Sequence, residues 1–297
     1  MLHDTLRETA AIQAVVRLLA DDDAKVLRTC RRRLLDWGDA ARVELKQAEL
    51  DDDPRVRLRA RAVLRSMELA NWSRAFAQEL AEARDSGEPH AVLDAGMRAL
   101  VAFVRPEPVD LPSFDRAIDD LADELRPLIA GRSSLTAARR LAELLAQRHG
   151  LRGSRRMPND RLSWLPDRVL AAARGPSSVL GALYLMIGRR AGMELSGVLL
   201  PDFLLVRVHG RRRILVDPYH EGRTVTRHDC LRYVGRLERF GCGAVRRTLE
   251  DISDGEVLDR VVEDLILVHD RPEQGEIRDA LRIARASLEP SLGRRLG

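Results

Sequence analysis

The chain of 297 residues is 45% hydrophobic and 32% charged, with only 4% aromatic residues. This apolar fraction is ordinary for a globular protein and excludes disorder as the dominant state, and the length allows one large domain or two smaller ones. No apolar run reaches the roughly 18–20 residues that a membrane span needs, so no membrane partner is expected. The net charge is only +4, and short basic clusters are scattered without stacking aromatics, which argues against a nucleic-acid partner.

The three cysteines, Cys30, Cys230 and Cys242, lack the spacing of a disulfide framework or a zinc site. We therefore expect reduced, buried thiols and no structural metal. No glycine-rich phosphate loop precedes a Lys-Ser/Thr pair, and the sequence predicts no cofactor. The first ten residues are polar and acidic, unlike a signal or transit peptide, and favour a cytoplasmic location.

Residues 1–70 contain an internal repeat. It begins with DDDAKV at residues 21–26 and returns as DDDPRV at residues 51–56, and Leu34 corresponds to Leu64 at the same offset. Each copy reads as a helix, an acidic turn and a second helix, because aspartates suit a helix N-terminus. This pattern is similar to short HEAT repeats, and a plain helical bundle is the alternative.

Residues 71–150 form a helical segment that we expect to pack on the core formed by later residues. Apolar residues recur at spacings of three and four, which is the period of an amphipathic helix. The sequence Arg105-Pro106-Glu107-Pro108 predicts a break, Pro127 predicts the end of a second helix, and Gly150 predicts the end of a third.

Within residues 151–235 the spacing of apolar residues changes from a helical to a strand-like pattern. A helix is predicted to begin near Ser177 and to end at Gly192, followed by strands at residues 196–200, 203–208 and 212–217 and by a short one at residues 224–226. A three-residue turn at 209–211 joins the second and third strands. Residues 236–297 return to helix as one hairpin that turns at residues 271–275. The predicted fold is therefore α+β and mostly α, with a small antiparallel sheet.

The stretch from Gly175 to Met193, with GVLLPDFLLVRV and ILVDPYHEGR after it, resembles the transglutaminase-like family of the SirB type. The anchors are Leu183-Tyr184-Leu185, Arg189-Arg190 and Asp217-Pro218. The resemblance covers residues of about 90–290 and implies a transglutaminase-like (papain-like) core at 151–235. It also implies a tetratricopeptide-like helical hairpin at 236–297.

The resemblance also implies where a catalytic triad would lie. In that superfamily a cysteine nucleophile stands at a helix N-terminus, a histidine on a following strand is the base, and an aspartate on the next strand orients it. These positions correspond here to Ser177, Phe203 and Asp217. The three-residue turn would also place Phe203 opposite Asp217, within one residue. Two of the three roles are thus lost, and the triad is degenerate.

Each of these residues also has a structural interpretation. Ser177 or Ser178 can cap the helix that follows Pro176. Asp217 can end its strand, accept hydrogen bonds from the next turn, or pair with an arginine such as Arg207. We also expect Asp217 to hydrogen bond to Ser177, Ser178 or the adjacent N–H groups, across a cleft that stays open.

The sequence supports two functions. The first is a non-catalytic transglutaminase-like protein, a pseudoenzyme that binds a protein or peptide. The alternative is a hydrolase or acyltransferase with Ser177 or Ser178 as nucleophile, His220 as base and Asp217 as orienting acid. His220 is the candidate base because it follows Asp217 by three residues and can fold back over the start of the helix.

Overall fold

The computed structural model describes residues 2–105, 107–154, 160–239, 249–271 and 274–288. This part of the chain is mostly helical with one four-stranded antiparallel sheet, which confirms the α+β, mostly α prediction. The twelve α-helices described are α1 Leu2–Arg17, α2 Ala24–Trp37, α3 Asp39–Ala48, α4 Pro54–Asp85, α5 Ala91–Val101, α6 Leu111–Ile129, α7 Ser134–Ala142, α8 Pro166–Ala172, α9 Ser177–Arg190, α10 Arg227–Arg239, α11 Asp254–Val268 and α12 Gly275–Ala286. The six strands described are β1 Arg152–Gly153, β2 Arg174–Gly175, β3 Leu195–Leu199, β4 Leu204–Val208, β5 Ile214–Asp217 and β6 Arg223–Val225. Within this part of the chain, no helix is both long and apolar enough to cross a bilayer.

The chain divides into two compact units, Met1–Ser73 and Arg74–Gly297. In the first unit the two acidic turns carry the same hydrogen bonds. Asp21 and Asp51 each accept from the N–H two residues later, at 2.7 and 2.8 Å. Asp23 and Asp53 do the same at the starts of α2 and α4, at 2.6 and 2.8 Å. The repeat seen in the sequence is therefore repeated in local structure.

The sheet of the second unit has the strand order β3-β4-β5-β6, with antiparallel neighbours. Val206 pairs with Val216, and continuation of this register places Leu205 rather than Phe203 opposite Asp217. The predicted three-residue turn was wrong, because β5 begins only at Ile214 and the connection runs over residues 209–213. Phe203 lies just before β4 and outside the ladder.

Helix α9 is the central element of the second unit, and every residue from Ser177 to Gly188 is buried. It begins where the change of period predicts, and it packs on β3, β4, α6 and α11. A Cβ atom at Gly181 would lie 2.6 Å from Leu204 Cδ2, so this glycine allows the helix to approach the sheet closely. Burial on all sides explains why α9 has apolar residues around its whole circumference.

A short parallel ladder, formed by β1 and β2, connects the chain on either side of α8. The fully buried Tyr184 of α9 donates a hydrogen bond to the Leu151 carbonyl oxygen, at 3.1 Å. Upstream, α6 continues to Ile129, so the prediction that Pro127 ends this helix was wrong. A proline so near a C-terminus removes only one of the last intrahelical hydrogen bonds.

Candidate functional site

The start of α9 holds the two candidate serines. Ser177 is the first helical residue and Pro176 occupies the capping position, so neither serine caps the helix as predicted. Instead, Ser177 Oγ accepts a hydrogen bond from the backbone N–H of Leu204, at 3.0 Å. Ser177 therefore joins the helix to the first residue of β4, and it is only 7% exposed.

Ser178 is buried more deeply than its neighbour. Its Oγ has no hydrogen-bond partner of ordinary geometry among the described residues. The hydroxyl is nevertheless close enough to Asp264 of α11 to lower the pKa of that carboxyl group. Burial has the largest effect and raises the pKa of Asp264, whereas the positive charge of Arg260 lowers it.

Asp217, at the end of β5, is held by the turn after this strand. Its Oδ1 accepts from the His220 backbone N–H at 3.2 Å, and its Oδ2 lies 2.7 Å from His220 Nδ1. Arg223 Nε also donates to Oδ2, at 3.2 Å. Asp217 is 2% exposed, so this carboxylate is buried with partners that satisfy it.

These contacts decide between the structural interpretations of Asp217. The prediction of a hydrogen bond from Asp217 to Ser177 or Ser178 was wrong. Among the described residues, the two carboxylate oxygens hydrogen bond to His220 and Arg223 instead. The arginine that pairs with Asp217 is Arg223, whereas Arg207 pairs with Asp251. Asp217 thus ends its strand, accepts hydrogen bonds from the next turn and pairs with an arginine, as the structural interpretation predicts, although the arginine is Arg223 and not Arg207.

Phe203 lies in a group of four rings. Its ring centroid is 5.1 Å from that of His220, 5.5 Å from that of Tyr219 and 5.6 Å from that of Tyr233, in tilted arrangements. Such contacts are favourable geometries for aromatic pairs. The structure therefore brings Phe203, Asp217 and His220 together, with the phenyl ring against the imidazole.

The serines are not joined to this group by hydrogen bonds among the described residues. Ser177 reaches it only through the backbone of Leu204, the residue after Phe203. The backbone N–H and the Nδ1 atom of His220 both hydrogen bond to Asp217. A nucleophile–base contact of the kind that a triad requires is thus missing from the described part of the site.

A pocket of about 560 Å³ opens at the start of α9. Six of its lining residues are Trp164, Ser177, Asp202, Phe203, Tyr219 and Asp264. A smaller pocket of about 350 Å³ shares Phe203 and is lined by Asp217 and Cys230. Sequence reasoning missed Tyr219, Asp202 and Asp264, although Asp202 adjoins the candidate Phe203 and Tyr219 adjoins the candidate His220.

The two described cysteines are free and buried. Burial raises the pKa of the Cys30 and Cys230 thiols, and nearby aspartates raise it further. Both effects disfavour the thiolate that a cysteine nucleophile needs. Cys242 lies outside the described residues. Within the described ranges, no group of three or more histidine, cysteine or acidic side chains could hold a metal ion.

Comparison with known proteins supports the transglutaminase-like resemblance. A family model for the transglutaminase-like superfamily matches residues 113–263, which is just over half of the chain. The match extends beyond the predicted core of 151–235 at both ends. No curated protein and no solved structure matched the chain. The chain belongs to the transglutaminase-like superfamily.

Proposed function

We propose that this chain is a non-catalytic transglutaminase-like protein, a pseudoenzyme that binds a protein or peptide partner. The observation that carries the proposal is the occupation of the base position by Phe203, whose ring packs on His220. A phenyl ring cannot accept a proton, and the serine at the nucleophile position hydrogen bonds to backbone. The open pocket at the start of α9 offers a ligand a partly apolar surface.

The finer family assignment is part of this proposal. We place the chain in the SirB-type branch on Leu183-Tyr184-Leu185, Arg189-Arg190 and Asp217-Pro218. The HEAT-like units before the core and the tetratricopeptide-like hairpin after it suit a binding role, because stacked helical pairs commonly present binding surfaces. A cytoplasmic location completes the proposal.

One observation favours the alternative, a hydrolase or acyltransferase that uses Ser177 or Ser178. His220 and Asp217 form the base–orienter pair that such an enzyme needs, at 2.7 Å. The alternative predicts hydrolysis of an activated ester such as p-nitrophenyl acetate, with loss of that activity in Ser177→Ala or Ser178→Ala and in His220→Ala. Under the pseudoenzyme proposal, the wild type shows no more hydrolysis than these three variants.

Thiol chemistry is tested with the full chain, a fluorescent primary amine and a glutamine-containing donor peptide. We expect no product above that of a matched Cys30→Ser/Cys230→Ser/Cys242→Ser variant, because the two described thiols are buried with raised pKa. Turnover that iodoacetamide abolishes, while the circular dichroism spectrum stays unchanged, would overturn the pseudoenzyme proposal.

Binding is tested by selecting a phage-displayed random-peptide library on the full chain. Selected peptides should bind the wild type and lose affinity for Phe203→Ala and Trp164→Ala, which both remove a ring from the pocket. Ile283→Ala is the matched control, because this apolar side chain of α12 is 60% exposed. If no selected peptide distinguishes the pocket variants from the control, the binding role fails.

A further inference from the structure

The pocket at the start of α9 differs in charge from the chain as a whole. Fifty lysines and arginines are spread through the sequence, yet the described side chains that line this pocket include two aspartates and no basic residue. The two acids are Asp202, in the connection between β3 and β4, and Asp264, on α11. The described lining residues therefore favour a cation over an anion.

Arg260 ties the two acidic positions together. Its Nε donates to Asp264 Oδ1 at 3.1 Å, and its NH1 donates to the carbonyl oxygen of Pro201 at 3.0 Å. Pro201 precedes Asp202 directly, so this arginine connects Asp264 to the backbone beside Asp202, and both aspartates line the pocket. This arginine fixes the position of Asp264 relative to the backbone at Pro201 and offsets the charge of Asp264.

Both carboxylates keep room for another donor. Asp264 accepts from Arg260 and also lies near the Ser178 hydroxyl, and Asp202 accepts a hydrogen bond from the Tyr233 hydroxyl. A carboxylate offers about four acceptor sites, so each has unused capacity. Burial raises the pKa of Asp264 even with Arg260 beside it. An added cation would favour the ionised form and so would gain binding energy from it.

Three aromatic rings also line the pocket. Trp164, Phe203 and Tyr219 border the same space as the two carboxylates. Aromatic faces attract cations, and tryptophan does so most strongly. A guanidinium group is planar, carries five donors and is weakly hydrated, so it can stack on a ring while it donates to carboxylates. The compact ammonium of lysine is more strongly hydrated and cannot stack.

We propose that this pocket receives the guanidinium group of an arginine side chain from the bound peptide. The inference rests on the proposed function, since it names the chemistry of the ligand in the same pocket. The guanidinium donates to Asp202 and Asp264 and lies against the rings. The exposed Leu267 at the border of the pocket contacts the neighbouring apolar part of the peptide.

The test starts from the peptides selected on the full chain. We expect one position to be enriched in arginine. The best peptide is then synthesised with arginine, lysine or citrulline at that position, and its affinity is measured by isothermal titration calorimetry. Citrulline keeps the shape of arginine but removes the charge. Replacement by citrulline should weaken binding by about tenfold or more, with lysine in between.

Matched variants show where the cation binds. Asp264→Asn and Asp202→Asn should each lower the affinity for the arginine peptide by about tenfold. The affinity for the citrulline peptide should stay nearly unchanged. A merely structural role of either acid would weaken both peptides alike. Asp279→Asn is the control, because Asp279 is an exposed acid of α12. Thermal unfolding of each variant shows that the fold is kept.

The outcomes separate the two proposals. Peptides that bind in the pocket with equal affinity for arginine and citrulline would overturn the inference and leave the binding role standing. A lysine peptide that binds as tightly as the arginine peptide would overturn the guanidinium assignment in the same way. If no peptide binds in the pocket, both proposals fail.

Discussion

Asp217 accepts hydrogen bonds that stabilise the turn after β5. We expect Asp217→Ala to lower the free energy of unfolding by about 1–3 kcal/mol, because it leaves the His220 and Arg223 donors without a buried acceptor. Asp217→Asn should lower it less, since one oxygen can still accept. Urea unfolding measures both, with exposed Asp279→Ala as control.

A neutral result for Asp217→Ala would contradict a structural role. If peptide binding were lost at the same time, Asp217 would act on the ligand directly. If both stability and binding were unchanged, neither role would remain for this carboxylate.

The adjacent serines of α9 provide a second contrast at the residue scale. Ser177→Ala removes the acceptor of the buried Leu204 N–H and should lower the free energy of unfolding by about 1–3 kcal/mol. Ser178→Ala removes a buried hydroxyl that has no partner of ordinary geometry among the described residues and acts only on the Asp264 carboxyl group, so we expect a smaller loss than for Ser177→Ala. Denaturant unfolding of the two variants side by side checks the difference. A negligible loss for Ser177→Ala would mean that the Ser177–Leu204 hydrogen bond contributes little.

At the scale of the elements, α9 and the β4–β5 hairpin could be predicted from the sequence, but the contacts of the site could not. Before Gly192 the apolar residues recur every three to four positions, which predicts a buried helix. After Gly192 they follow a strand-like pattern, which predicts the hairpin. The register depends on where β5 begins, and the strand begins at the first apolar residue, Ile214, because the three preceding arginines belong to the connection.

The sequence predicts that His220 can fold back near Asp217, but it does not predict the contact of His220 with Phe203. The turn after β5 places Glu221 at a φ of 61° and Gly222 at a φ of 70°, and the Gly222 N–H donates to the Asp217 carbonyl oxygen. Glycine commonly adopts such a φ, but glutamate seldom does, so its left-handed conformation is set by tertiary contacts. That turn carries the imidazole back onto Asp217 and Phe203.

The approach of α9 to the sheet gives a prediction about elements. Gly181→Ala would place a Cβ 2.6 Å from Leu204 Cδ2, so we expect a net loss of stability despite the better helix propensity of alanine. The overpacking should cost about 1–3 kcal/mol. Chemical unfolding of Gly181→Ala, Leu204→Ala and the double variant measures the coupling.

The double variant is the control for this explanation. In the Leu204→Ala background the added methyl group has room, and Gly181→Ala should then be neutral or stabilising. If Gly181→Ala is equally destabilising in both backgrounds, contact with Leu204 is not the cause.

At the scale of the whole molecule, three helix starts make stability depend on pH. Hydrogen bonds from side chains, and then from backbone N–H groups, lower the pKa of Asp53, Asp110 and Asp229. A lowered pKa in the folded state means that the stabilisation is complete above the ordinary value of 3.8. It is lost as the pH falls through the folded-state pKa.

Replacement of these three aspartates by asparagine keeps the capping oxygens but removes the charges. We therefore expect the wild type to be more stable than the triple variant near neutral pH, and the difference to shrink below about pH 4. Urea midpoints measured over this range check the sign. A difference that stays constant or grows in acid would contradict the assignment.

Tyr184 gives the core a spectroscopic consequence. Burial, and secondarily the nearby Asp217 carboxylate, raises the pKa of this phenol, and its hydroxyl donates to the Leu151 carbonyl oxygen. In an alkaline titration, tyrosinate absorbs in the ultraviolet, and Tyr184 should ionise later than an ordinary phenol. The late part of the absorbance change should therefore coincide with loss of helical circular dichroism. One of the three tyrosines would thus report the opening of the core around α9 without any added label.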